Sequence, residues 1–161
     1  MLHDNTLYFC SGLSRAFAVD AETGEERWVF DSKPRIDSPW TAKCRGVALW
    51  QDRAAQDRAA QDSGGQASGA QDSGEQASGA QASSDSQPDA TTRCQRRVFM
   101  GTLDARLVAI DAQTGAACED FGTHGEVDLT VGMGEIRNNE MAMTSPPVVI
   151  NDLVIQGAMV M

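Results

Sequence analysis

Three side chains have the chemistry to hold an anionic ligand: Arg45, Thr144 and Ser145. Arg45 opens the apolar run Arg45-Gly46-Val47-Ala48-Leu49-Trp50. A guanidinium grips a carboxylate through two parallel hydrogen bonds. On the residues alone, an ion pair between neighbouring elements is the commoner use of such an Arg. Thr144 and Ser145 stand just before Pro146-Pro147 and the next strand-like run. Their hydroxyls can donate to a carboxylate or can cap the start of a strand, and the two readings weigh evenly. Four cysteines, Cys10, Cys44, Cys94 and Cys118, allow three disulfide pairings, with four buried thiols as the alternative. There is no Cys-x-x-Cys, and His3 and His124 lack ligand spacing, so zinc is not expected. Met133, Met141 and Met143 read as packing residues.

The element that must position these groups occurs twice. Ala18-Val19-Asp20-Ala21-Glu22-Thr23-Gly24, followed by Trp28, is matched by Ala109-Ile110-Asp111-Ala112-Gln113-Thr114-Gly115. Each copy is a short apolar strand running into a tight turn. The Asp carboxylate caps the turn, and the Gly takes the positive φ that it needs. Asp20, Thr23, Gly24 and Trp28, with Asp111, Thr114 and Gly115, are therefore read as structural docking residues. A repeated strand–turn unit points to a radial or solenoid β architecture, because one repeat cannot bury its own apolar face.

Around the two copies, Leu7 to Cys10, Ala16 to Val19 and Arg27 to Phe30 read as strands, then Arg45 to Trp50, Arg97 to Thr102 and Leu107 to Asp111. A weak strand is expected near Cys118 and a long irregular loop from Glu126 to Glu140. Ser145 to Ile150 and Leu153 to Gly157 form a last hairpin about Asn151-Asp152. Between Gln51 and Thr92 the composition turns to near-repeats of Gln, Ala, Ser, Gly and Asp, which cannot bury enough apolar surface to offset ordering. It reads as a disordered insert within a hairpin, with a short helix at its Ala-rich start. The two repeats lie 91 positions apart. Removing the insert leaves a period near that of a four-stranded propeller blade, about 40–50 residues. Residues 1–50 are then a blade lacking its innermost strand plus the start of the next. Residues 51–92 are the insert, and 93–161 complete the second blade and begin a third. The fold class is all-β: an arc of about two blades, with open edges and not stable alone.

The net charge is −10, and half of it lies in the insert, which holds seven acids and two bases. Clustered Lys and Arg are absent, so nucleic acid is not an expected partner. No stretch approaches the ~20 apolar residues that span a bilayer. Met1-Leu2-His3-Asp4 is no basic-then-apolar leader; the chain opens inside a sheet pattern, as a fragment would.

The run Ala18-x-Asp-x-x-Thr-Gly-x-x-x-Trp28 resembles the tryptophan-docking motif of the eight-bladed quinoprotein dehydrogenases, which use pyrroloquinoline quinone (PQQ). Leu7-Tyr8-Phe9-Cys10, Cys44-Arg45-Gly46-Val47-Ala48, Thr102-Leu103-Asp104-Ala105-Arg106-Leu107 and Thr144-Ser145-Pro146-Pro147 narrow the resemblance to the membrane-bound glucose/quinate/shikimate branch. It implies that Arg45, Thr144 and Ser145 face a central channel and contact PQQ, whose three carboxylates suit these donors. It implies oxidation of a sugar or cyclic polyol, with an Asp base, Ca²⁺ beside the cofactor and ubiquinone as acceptor, at the periplasmic face of the inner membrane. The base and the calcium ligands are expected beyond Met161, and the isolated chain is expected to be inactive. In such a blade, alternating strand polarity puts Cys10 and Cys44 at the cofactor face and Cys94 and Cys118 at the opposite one. That predicts the pairs Cys10–Cys44 and Cys94–Cys118, in a compartment that favours disulfides.

Two departures stand out. The His that often precedes Cys-Arg-Gly in this branch is absent from Ser38-Pro39-Trp40-Thr41-Ala42-Lys43, and Glu119 falls where the second blade would carry its docking Trp. The alternative function is a non-catalytic propeller scaffold binding protein partners; a third reading is a truncated, inactive reading frame.

Overall fold

The computed structural model describes residues 1–36, 42–55, 57, 94–137 and 140–160. Most of the expected insert and the stretch Ser38–Thr41 lie outside the described residues. Two four-stranded antiparallel sheets carry the fold. The first comprises β1 (Leu2–His3), β2 (Thr6–Cys10), β3 (Arg15–Asp20) and β4 (Glu26–Asp31), in that order. The second comprises β5 (Ala48–Gln51), β6 (Arg96–Gly101), β7 (Arg106–Asp111) and β8 (Glu126–Asp128). A hairpin of β10 (Val148–Ile150) and β11 (Leu153–Ile155) follows. It is bracketed by a short pair formed by β9 (Met141–Ala142) and β12 (Met159–Val160).

The two sheets repeat each other residue for residue. Leu7 pairs with Val19 and Phe9 with Phe17 in the first; Val98 pairs with Ile110 and Met100 with Val108 in the second. Strand alternation gives each sheet two apolar faces. Tyr8, Ala16, Ala18 and Trp28 of the first sheet share one core with Val98, Met100, Val108 and Ile110 of the second. Phe99, Leu107 and Ala109, on the far side of the second sheet, pack with Val149 and Val154 of the hairpin. The layers are stacked blades.

Three expectations are corrected. The first blade does not lack its innermost strand, because Leu2 pairs with Leu7 and His3 with Thr6. Asp4 and Asn5, both at positive φ, make the tight turn that suits such a hairpin. The fourth strand of the second blade lies at Glu126–Asp128, within the expected irregular loop, rather than near Cys118. Near Cys118 only a single bridge survives, Ile110 to Ala117, before the chain loops out and returns. Gln51 belongs to β5, paired with Arg96, and not to the insert. Residues 53–55 are helical, with the Ala54 and Ala55 amides donating to the Asp52 carboxylate. Among the described residues no helix is long and apolar enough to cross a membrane.

Candidate functional site

Arg45 lies just before β5, between two fixed points. Cys44 is bonded to Cys10 at the end of β2, with the two Cα atoms 5.8 Å apart. Gly46 faces Pro146, where an added Cβ would come within 3.2 Å of the proline Cβ. A side chain there would press on the proline, so Gly46 permits the two segments to close up. That contact brings the Arg45 segment of the second blade beside the Thr144–Ser145 segment of the third. Arg45 is exposed, and among the described residues it forms no ion pair. Thr144 is buried, at 5% exposure, and Ser145 is half-buried. The Ser145 carbonyl accepts a 2.9 Å hydrogen bond from Gln156 Nε2. Ser145 therefore has the more available hydroxyl of the two. The second disulfide, Cys94–Cys118, has its Cα atoms 5.7 Å apart and lies at the other end of the strands, ahead of β6.

The Arg45 end of the second sheet, away from Cys94–Cys118, holds a polar hub that is not among the site residues expected from sequence. In the β6–β7 turn, Arg106 donates through Nε to Asp104 at 3.0 Å and through Nη2 to the Ser32 carbonyl at 2.9 Å. It also pairs with Glu126. Asp104 accepts from the Arg35 amide at 3.0 Å and from the Thr102 hydroxyl at 2.7 Å. Ser14 Oγ accepts from the Leu103 amide at 3.0 Å. The first and second blades are thus laced together by hydrogen bonds. Burial raises the Asp104 pKa, but the Arg35 amide, the Thr102 hydroxyl and Arg106 outweigh it, and the net shift is downward. Burial likewise disfavours the Arg106 charge, and Asp104 and Glu126 more than restore it. The available signal was the run Thr102-x-Asp104-x-Arg106, with Ala105 at positive φ. A cavity of about 230 Å³ beside this hub is lined by Arg35, Asp104, Asp128 and Arg137, among others. A larger one, about 310 Å³, lies at the opposite end, beside His3, Gln51 and Arg96. Neither is lined by Arg45, Thr144 or Ser145.

The docking residues meet across the blade interface. The Trp28 indole donates to the Ala112 carbonyl at 3.0 Å, and the Tyr8 hydroxyl donates to the same oxygen at 3.1 Å. The Trp28 ring covers Gly115, where a Cβ would come within 2.7 Å of the indole. Asp111 caps the turn by accepting from the Gln113 amide at 3.0 Å and the Thr114 amide at 2.8 Å. It also accepts from the Thr114 hydroxyl and the Cys94 amide. Glu119 is exposed beside His124, on the excursion that interrupts the fourth strand.

Two four-stranded sheets stacked face to face, with the Trp28 ring of the first seated on the Thr-Gly turn of the second, define an arc of a β-propeller. Over residues 1–161 the chain matches the PQQ family described as glucose/ethanol/alcohol dehydrogenase, beta-propeller domain. It is 34% identical over 157 residues to quinoprotein glucose dehydrogenase of Gluconobacter oxydans, covering 96% of this chain and 16% of that protein. It is 31% identical over 155 residues to quinate/shikimate dehydrogenase (quinone) of Acinetobacter baylyi, covering 96% and 17%. Quinohemoprotein alcohol dehydrogenase from Comamonas testosteroni overlays 98% of this chain and 16% of its own, with a TM-score of 0.56 at 21% identity, and so shares the fold. The chain belongs to the PQQ-dependent quinoprotein dehydrogenase family of β-propellers. It spans about one-sixth of the length of these relatives, 16% in the glucose dehydrogenase.

Proposed function

We propose that this chain supplies part of the cofactor-holding wall of a PQQ-dependent dehydrogenase acting on a sugar or cyclic polyol. In this reading the enzyme works at the periplasmic face of the inner membrane and passes electrons to ubiquinone. The observation that carries it is the packing of Gly46 on Pro146, which sets Arg45 beside the Thr144–Ser145 segment. The fit is one of donor chemistry. Arg45 offers an exposed guanidinium with no carboxylate partner among the described residues, and Ser145 offers a hydroxyl from the neighbouring segment. When bound, PQQ supplies the acceptor for the hydride equivalent taken from the alcohol. Arg45 holds a cofactor carboxylate by charge-assisted hydrogen bonds, Ser145 and Thr144 orient it, and the Cys10–Cys44 bond fixes the backbone ahead of Arg45. We assign neither the substrate-deprotonating carboxylate nor the calcium ligands to residues 1–161, so the chain by itself does not turn over substrate.

The test is a PQQ titration of the chain followed by the cofactor's absorbance, with a dye-linked dehydrogenase assay in PQQ and Ca²⁺. Saturable binding is expected, weakened about tenfold or more in Arg45→Ala, as befits a charged hydrogen bond worth roughly 1.5–3 kcal/mol. No turnover is expected. Equal binding by the variant, or dehydrogenase activity of the chain alone, would overturn the proposal.

A further inference from the structure

The polar side chains around the 230 Å³ cavity beside the Arg106 hub differ in how much hydrogen-bonding capacity they have left. Arg106 is committed to Asp104, Glu126 and the Ser32 carbonyl. Asp104 is committed to Arg106, the Thr102 hydroxyl and the Arg35 amide. Arg35 joins that hub only through its backbone amide. Its side chain is exposed and forms no ion pair among the described residues. Arg137 has an equally loose hold: its one ion-pair partner among the described residues is Glu140, 3.9 Å away. Asp128 spends a single oxygen, Oδ1, on the Thr130 amide at 2.8 Å and the Thr130 hydroxyl at 2.7 Å. Its Oδ2 accepts from no protein donor among the described residues. The Thr130 hydroxyl and amide, then the Arg35 charge, keep the Asp128 carboxyl below its usual range against burial and Asp104, so it is an acceptor at neutral pH. Ala105, Ile136 and Met141 complete the wall with carbon.

We propose that this cavity binds a small hydroxylated carboxylate, with its carboxylate on Arg35 and Arg137 and a hydroxyl on Asp128. Two guanidinium groups with unspent donors on one cavity suit a carboxylate. The second oxygen of Asp128 repels a bare anion but accepts from an O–H, so one molecule carrying both groups satisfies both ends. The apolar wall covers a carbon skeleton, which inorganic phosphate does not have. The lining charges nearly balance, with Arg35, Arg106 and Arg137 against Asp104 and Asp128, so selection rests on where the groups sit and not on net charge. The volume falls below the roughly 300–1,000 Å³ of drug-sized sites, which limits the ligand to a few carbons. The wall is made by connecting segments at the strand ends, not by the sheet faces on which blades stack. Neither Arg45, Thr144 nor Ser145 lines it, so the inference does not rest on the cofactor reading.

The test titrates D-glycerate, which carries a carboxylate and two hydroxyls, into the chain without PQQ, read by ligand-observed NMR. Saturable binding is expected, with propionate, glycerol and inorganic phosphate each weaker by about tenfold or more. Arg35→Gln and Arg137→Gln should each weaken glycerate by about tenfold. Both side chains are exposed and Arg35 meets the hub only through its amide, so the fold is preserved; circular dichroism checks this. Arg53→Gln removes the same charge from an exposed position past the far end of β5, and should change binding by less than about twofold. Asp128→Ala should close the gap between glycerate and propionate. Absence of saturable glycerate binding, phosphate or propionate binding as tightly as glycerate, or unchanged binding in either cavity arginine variant would overturn the proposal. So would an equal loss in Arg53→Gln, or a gap that survives Asp128→Ala. Because no PQQ is present, none of these outcomes bears on the role of Arg45.

Discussion

The same turn appears twice in this molecule, in opposite surroundings. Asp20 and Asp111 each cap a Thr-Gly turn with two backbone amides. Asp111 is 3% exposed and tied to the Cys94 amide, and its Gly115 lies under an indole ring. At the first turn nothing stands over Gly24, and Asp20 finds Arg27 at 2.7 Å instead. That guanidinium, followed by the Thr23 and Glu22 amides, holds the Asp20 carboxyl well below the usual carboxylate range. Local sequence sets the shape of the turn; the neighbouring blade decides what it is worth.

The comparison can be broken most forcefully at the tryptophan. Trp28→Ala should cost about 4 kcal/mol in urea denaturation by emptying the interface. Glu119→Ala, at the matching place in the second repeat, should shift stability by no more than about 0.5 kcal/mol, because that side chain is exposed. The glycines come next. Both have φ near +74°, so Ala at either pays a backbone cost of about 1 kcal/mol. At Gly115 the new methyl also meets the indole, and the total should reach about 3 kcal/mol. Equal losses at the two sites would mean that Trp28 does not dock there in solution. Asp111→Ala should cost about 2 kcal/mol by stranding buried amides, with a visibly smaller midpoint shift for Asp20→Ala.

A finer probe is pH. Asp104 binds its proton less readily folded than unfolded, so its contribution is complete above the unfolded value near 4 and is lost as pH falls through the lower folded value. Stability should therefore drop below about pH 4, and Asp104→Asn should flatten that slope. An unchanged slope would mean that Asp104 does not link the blades.

The repeat was legible because its residues do local work: a carboxylate caps a turn, and a glycine takes a positive φ. The strand register followed from alternation, and the two disulfides join cysteines that strand polarity puts at the same ends. What escaped notice depends on distant partners. Leu2–His3 is too short to show a period and is a strand only because Leu7 and Thr6 are there to pair with it. Glu126–Asp128 completes the second blade after an excursion from Cys118 to Gly125, a break that a repeat of fixed length cannot anticipate. Arg106 was legible as a motif but not as a hub, because Ser32 and Glu126 come from other parts of the chain. The Arg45 segment was legible in type, whereas its closeness to Pro146 is a tertiary fact.

Where β5 leaves off and β6 begins, the Asp52 amide donates to the Gln95 carbonyl at 2.8 Å, one step past the Gln51–Arg96 pair. Whatever length of polypeptide lies between therefore departs and returns through one doorway, and loop closure adds only about 0.6 kcal/mol per doubling. Such a junction lets the gene gain or lose codons without disturbing the blade. It is also the natural place to splice in a reporter domain, away from the Arg45 end.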